Sequence, residues 1–149
     1  MRYLGLDLGT KTLGISISDE SHLIANTYKT LRFDEGKYES LILKLNDIIV
    51  KYKISKIVLG FPKNMNNTVG DRGKTTLEFK KMLEKNYNIE VVLQDERLST
   101  VEATRYMIEA DMSRKKRKKK IDTLAANIIL QTYLDKERGE NYEGRSNDI

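Results

Sequence analysis

Tyr3-Leu4-Gly5-Leu6-Asp7-Leu8-Gly9-Thr10-Lys11-Thr12-Leu13-Gly14-Ile15-Ser16-Ile17-Ser18 decides the architecture. Two β-rich runs, Tyr3 to Leu8 and Leu13 to Ser18, are separated by a Gly9-Thr10-Lys11 turn so short that they must pair as an antiparallel hairpin. A third run, Leu23 to Leu31, follows the polar separator Asp19-Glu20-Ser21 and extends the meander. In the first run apolar residues alternate with small ones, so Leu4, Leu6 and Leu8 share one face while Gly5 and Asp7 share the other. Asp7 is therefore a half-buried carboxylate inside the first strand. That placement is expensive unless the group is paired, protonated or bound to a metal, and the neighbouring glycines leave room for a ligand.

Beyond the hairpins the period changes. Tyr38 to Tyr52 places Leu41, Leu45, Ile48 and Ile49 at helical spacing, with Lys44, Asp47 and Lys51 on the other side. Ile54 to Phe61 is a short β-rich run stopped by Pro62, and Lys63 to Gly73, with three asparagines and two glycines, reads as a loop. Thr76 to Tyr87 is helical in pattern and Ile89 to Leu93 is a buried-strand pattern. Ser99 stands at an N-cap with Glu102 at the capping-box spacing, opening a helix to about Ala110. Ile121 to Leu134 is a further helix with a broad apolar face. The order βββ, α, β, α, β, α, α implies one α/β domain: a mixed sheet whose first three strands are antiparallel and whose later strands run parallel to the first, flanked by helices. The expected boundaries are a domain over residues 1–136 and a frayed polar tail over 137–149.

The chain has 149 residues, 33% of them charged, and no cysteine. A multi-domain machine, disulfide stapling, zinc–thiolate and iron–sulfur chemistry and cysteine nucleophiles are all excluded, and a cytoplasmic location is expected. Asp7 falls where a signal peptide would continue its apolar core, and no apolar run reaches the length of a membrane helix, so no membrane insertion is expected. The formal charge is +5, yet Arg114, Lys115, Lys116, Arg117, Lys118, Lys119 and Lys120 form an unbroken basic run, without which the chain is net negative. Basicity this local suits a polyanion bound at one place, with nucleic acid the leading partner class.

Two further carboxylate positions accompany Asp7. Asp95 and Glu96 close a parallel-type strand at its carboxyl end, where open α/β sheets place their ligands. Neighbouring strand residues point to opposite faces, so one of the pair reaches the side of Asp7, and Glu96 has the longer arm. Asp122 opens the last helix, where it is either an N-cap or, with the small residues Ala125 and Ala126 allowing close packing, a third acid near the strand ends. Carboxylates brought to one point repel each other, and such a cluster makes sense as a cage for Mg²⁺ or Mn²⁺ acting on phosphodiesters. The lone histidine, His22, sits in a hairpin region and reads as a surface residue rather than a base.

Four segments together resemble the YqgF/RuvX family, nucleases of RNase H-like (RuvC-type) fold associated with pre-16S rRNA processing and Holliday junction resolution. They are Gly5 to Gly14; Val58-Leu59-Gly60-Phe61-Pro62; Asp95-Glu96-Arg97-Leu98-Ser99-Thr100 with Ala103; and Lys116-Arg117-Lys118 leading to Ile121-Asp122-Thr123-Leu124-Ala125-Ala126 with Ile129-Leu130-Gln131. The resemblance implies that Asp7, Glu96 and Asp122 are metal-binding catalytic carboxylates with Asp95 adjacent. It also implies a hydrolase that processes the 5′ end of precursor 16S rRNA, or alternatively resolves four-way DNA junctions in recombination and repair. Thr12 departs from the family, where many members carry arginine, and Lys11 is the nearest replacement charge. Arg97 suits a phosphate or a neighbouring carboxylate. Asn64 and Arg72, in the loop beyond a strand end, and the basic run before Asp122 complete the expected nucleic-acid contacts. Junction cutting would require a homodimer, whereas RNA processing is open to a monomer. A non-catalytic nucleic-acid-binding module is the remaining alternative, and the resemblance of Asp7 to Thr10 to an actin-like phosphate loop is opposed by the chain's length.

Overall fold

The computed structural model describes residues 1–62, 69–95, 113 and 124–139. Its elements are β1 (Arg2–Leu8), β2 (Thr12–Ser18), β3 (Ala25–Arg32), α1 (Glu39–Lys51), β4 (Ile54–Phe61), α2 (Asp71–Asn86) and β5 (Glu90–Asp95). A further helix covers residues 124–139. The strands form one sheet in the order β3-β2-β1-β4-β5. β1–β2 and β2–β3 are antiparallel, whereas β1–β4 and β4–β5 are parallel, as the sequence pattern predicts. β1, at the centre of the sheet, is hydrogen-bonded on both sides; the polar, largely exposed β3 takes an edge.

The two faces of the sheet bury different residues. Leu4, Leu6 and Leu8 of β1 join Leu13, Ile15, Ile57, Leu59 and Val91 in a core against Leu41 and Leu45 of α1 and Phe79 and Leu83 of α2. On the other face, Tyr3, Ala25 and Val58 pack against Ile129, Leu130 and Leu134 of the C-terminal helix. Alternation along β1 is what assigns residues to the two layers.

Most boundaries shift by one or two residues, and three differences are informative. α2 begins at Asp71, five residues before the expected Thr76. Gly70 and Gly73 look like loop punctuation, but Gly70 is the extended N-cap and Gly73 is buried in the first turn, where an added Cβ would lie 2.6 Å from Val69 Cγ1 and 3.1 Å from the Pro62 carbonyl. β3 runs one residue past Leu31 to Arg32. The last helix continues through residue 139, so the polar segment expected to fray after Lys136 starts out helical. The expected helix from Ser99 to about Ala110 lies outside the described residues.

Glu137 explains that extension. Its carboxylate accepts hydrogen bonds from Lys56 on β4 (3.1 Å), Tyr133 (3.0 Å) and Tyr3 on β1 (3.0 Å). The Lys56 ammonium also donates to the Tyr133 hydroxyl (2.9 Å) and lies over the Tyr3 and Tyr133 rings. Burial opposes both charges, but their mutual bonds outweigh it: Glu137 is held below the usual carboxylate range, and Lys56 is held above the usual ammonium range. A depressed carboxylate pKa contributes stability above its unfolded value of about 4.3, lost as pH falls through the folded value; a raised lysine pKa contributes below about 10.4, lost as pH rises through the folded value. Lys56→Met is therefore expected to lower stability at neutral pH by about 1–2 kcal/mol, between an exposed and a buried ion pair. Its urea midpoint should also lose the part of the acid dependence that belongs to Glu137.

Candidate metal centre

Asp7 lies near the carboxyl end of β1, opposite Gly14 of β2. The next step of the β1–β4 register after Leu6↔Leu59 brings it level with Gly60. The carboxylate is thus flanked on its face by strand positions without side chains. A Cβ added at Gly14 would lie 3.7 Å from Asp7 Cβ and 3.4 Å from Ala126 Cβ, which puts the start of the described C-terminal helix directly beside Asp7. Two devices draw that helix down. Ser16 donates its hydroxyl to the Ala126 carbonyl at 2.8 Å, and Gly5 leaves the space that Leu130 and the Ala126 carbonyl occupy. Gln131 fixes the helix laterally, accepting from the Ala25 amide (2.8 Å) and donating to the Leu23 carbonyl (3.0 Å).

Asp7 is half-buried, and among the described residues its side chain has no hydrogen bond or ion pair. A hard oxygen donor held in a rigid strand, among glycines and an alanine and with no cationic partner among the described residues, fits Mg²⁺ or Mn²⁺. Among the described residues, no three acidic, histidine or cysteine side chains gather at one point. Glu96 and Asp122 lie outside the described residues, as do Asn64, Arg97, Arg114, Lys115, Lys116, Arg117, Lys118, Lys119 and Lys120.

β5 separates the two adjacent acids. Val91 and Leu93 pack on the α1/α2 face and Val92 on the C-terminal helix face, so Gln94, buried, shares the side of Asp7 while Asp95 points to the opposite side. The alternation thus disfavours Asp95 as a direct partner of Asp7.

The expected cations fall on different sides. Lys11 is exposed in the β1–β2 turn, where Gly9 donates its amide to the Thr12 carbonyl at 2.8 Å and Phe33 donates to the Lys11 carbonyl at 3.0 Å. Arg72, at the start of α2, lines a cavity of about 180 Å³ together with Gly9, Thr10, Glu35 and Tyr38, on the layer opposite Asp7. Arg32, which the sequence reading does not single out, also lies at this end of the sheet. It pairs with Thr12, is exposed and shares the face of Asp7, since its neighbour Leu31 packs against the α1/α2 core. A cation immediately after the last apolar residue of a strand was the available signal. His22 stacks on Tyr3 at 3.9 Å between ring centroids, with Nε2 2.9 Å from the Met1 carbonyl, at the far end of β1 from Asp7. That is a structural role.

Residues 1–136 match the family model RuvX, described as Holliday junction resolvase. The chain belongs to the RuvX family. It is 56% identical over 135 residues to a Bacillus pumilus protein named "Putative pre-16S rRNA nuclease", covering 91% of this chain and 98% of the relative. A Bacillus subtilis protein of the same name is 54% identical with the same coverage. Among solved structures, Thermus thermophilus RuvC in complex with a Holliday junction substrate superposes with a TM-score of 0.61 at 13% identity, over 93% of this chain and 96% of that one. The fowlpox virus Holliday junction resolvase gives 0.52 at 16% identity, over 91% and 99%. These two likenesses establish a RuvC-like fold for this RuvX member, and its relatives by sequence are nucleases by name. Among the described residues no helix is long and apolar enough to cross a membrane.

Proposed function

We propose that this chain is a divalent-metal-dependent nuclease that processes the 5′ end of precursor 16S rRNA, with Asp7, Glu96 and Asp122 holding the metal. The observation that carries the reading is the half-buried Asp7 carboxylate in the central strand, without a hydrogen bond or ion pair among the described residues, with the C-terminal helix packed beside it. Continuing the alternation of β5 by one residue gives Glu96 the face of Asp7. In sequence Asp122 precedes Ala126 by four positions, the spacing of one helical turn. Mg²⁺ or Mn²⁺ ions, when bound, supply positive charge on the attacking and leaving sides of a phosphodiester. The chain's own part is placement: β1 is locked by hydrogen-bonded neighbours on both sides, and the basic run from Arg114 to Lys120, with Lys11 and Arg97, draws in the polyanion. The same chemistry on a four-way DNA junction is the second reading, supported by the description of the family model.

The test is cleavage of precursor 16S rRNA and of a four-way DNA junction by the wild type, Glu96→Gln and Asp122→Asn, each with Mg²⁺, Mn²⁺ or excess chelator. Metal-dependent cutting of the precursor, lost in both variants, is expected. Preferential cutting of the junction transfers the activity to DNA. Cutting that survives chelation, or both substitutions, overturns the metal assignment. Salt-sensitive binding without cutting makes the chain a non-catalytic module.

A further inference from the structure

Resting on that nuclease reading, we infer that Arg32, with the hydroxyls of Thr12 and Thr30, receives a backbone phosphate of the substrate strand a short distance from the one presented to Asp7. The sheet register carries this. Asp7 faces Gly14, Gly14 faces Thr30, and Thr12, two residues before Gly14, faces Arg32. Paired residues share a face, so Asp7, Thr12, Thr30 and Arg32 all lie on the side covered further along by the C-terminal helix, at the end of the sheet where β1 finishes. Arg32 is two strands across from Asp7 and one pleat further out. Strand spacing and rise make that about 12 Å, the span of roughly three to four phosphates along one strand of a duplex.

Charge supports the assignment. Arg32 and Thr30 are exposed, and among the described residues Arg32 forms no ion pair, although Asp34 and Glu35 follow closely in sequence. Lys11 is joined to the same corner through its carbonyl. A planar guanidinium with five donors and two nearby hydroxyls is the donor set that a phosphate diester oxygen takes. Arg32 also stands one β2–β3 pair from Thr12's own turn, so a strand passing Asp7 crosses β2 over side chains no larger than threonine before meeting it. The competing role for an edge-strand cation is to discourage strand pairing with other chains, which requires no particular face.

The experiment measures binding of the four-way DNA junction and of precursor 16S rRNA in chelator, across a series of KCl concentrations, for the wild type, Arg32→Ala, Arg32→Lys and Lys29→Ala. Lys29 is the control: it lies on the same strand but pairs with Ile15, which puts it on the opposite face. Arg32→Ala is expected to bind about tenfold more weakly, with the salt slope shallower by about one phosphate contact. Arg32→Lys should recover part of the affinity, and Lys29→Ala should match the wild type. Single neutral methylphosphonate linkages along the bound strand then locate the contact: one position that weakens the wild type should no longer weaken Arg32→Ala. Unchanged affinity and slope in Arg32→Ala, or an equal loss in Lys29→Ala, overturns the inference. A wild type that binds neither nucleic acid instead overturns the nuclease reading itself, and the inference with it.

Discussion

Asp7→Asn is expected to lower the cleavage rate by about 10³-fold or more while leaving the folded chain at least as resistant to urea as the wild type. The two halves of this expectation have one cause. Asp7 is half-buried without a hydrogen bond or ion pair among the described residues, so its charge carries a desolvation penalty that nothing described offsets. An isosteric amide removes the penalty and keeps the volume, and Gly14 and Ala126 beside it need not move. The same change removes a hard anionic donor, and charge stabilisation by a bound metal is worth several kcal/mol at the transition state, hence the size of the rate loss. Initial rates and urea midpoints of the purified variant decide it. A variant that keeps more than about a tenth of the rate shows that Asp7 is not a ligand, and one that unfolds shows that its role is structural.

The largest loss of stability is expected from Gly5→Val. An ideal Cβ at Gly5 would stand 2.4 Å from Ser16 Oγ, 2.7 Å from Leu130 Cβ and 3.1 Å from the Ala126 carbonyl. The first contact could be relieved only by breaking the Ser16–Ala126 hydrogen bond, and the second only by lifting the helix. Overpacking of this kind costs about 1–3 kcal/mol and occasionally more, and here it acts on the seam that seats Ala126 and Leu130 of the C-terminal helix against β1 and β2. Gly139→Ala is the matched control, since nothing lies within 4 Å of an added Cβ there. Urea unfolding of both variants, with proteolysis to detect release of residues 124–139, tests the pair. Equal midpoints would mean that the helix does not depend on the Gly5 seam.

The parts of this molecule that the sequence disclosed are those governed by local periodicity. Strict alternation in Tyr3 to Leu8 identified β1 and set Asp7 apart as its polar interruption, and the short turns dictated the antiparallel half of the sheet. The layer to which each residue belongs followed from the same period. What stayed hidden depends on contacts between distant residues. Glu137 looked like one more charge in a polar tail, because Lys56 and Tyr3, which hold it, are far away in sequence. Gly73 looked like a loop breaker because the Pro62 carbonyl and Val69 that require its smallness were invisible. Arg32 could be assigned to the face of Asp7 only through two successive registers, one of which shifts between Ile15 and Ser16. A strand whose residues are nearly all exposed provides no apolar alternation from which to read its facing.

The hold on Glu137 also has a mechanical meaning. Between residue 137, gripped by Lys56 and Tyr3, and Ala126, pressed against the Asp7 end of the sheet, the helix is a stiff rod about 16 Å long at 1.5 Å per residue. Over that length, a tilt of about 5° allowed by loosening the grip displaces the far end by more than 1 Å, an error large enough to cost an active site about a hundredfold in rate. Side chains at the end of the sheet away from Asp7 therefore help to set the position of the helix at the other end.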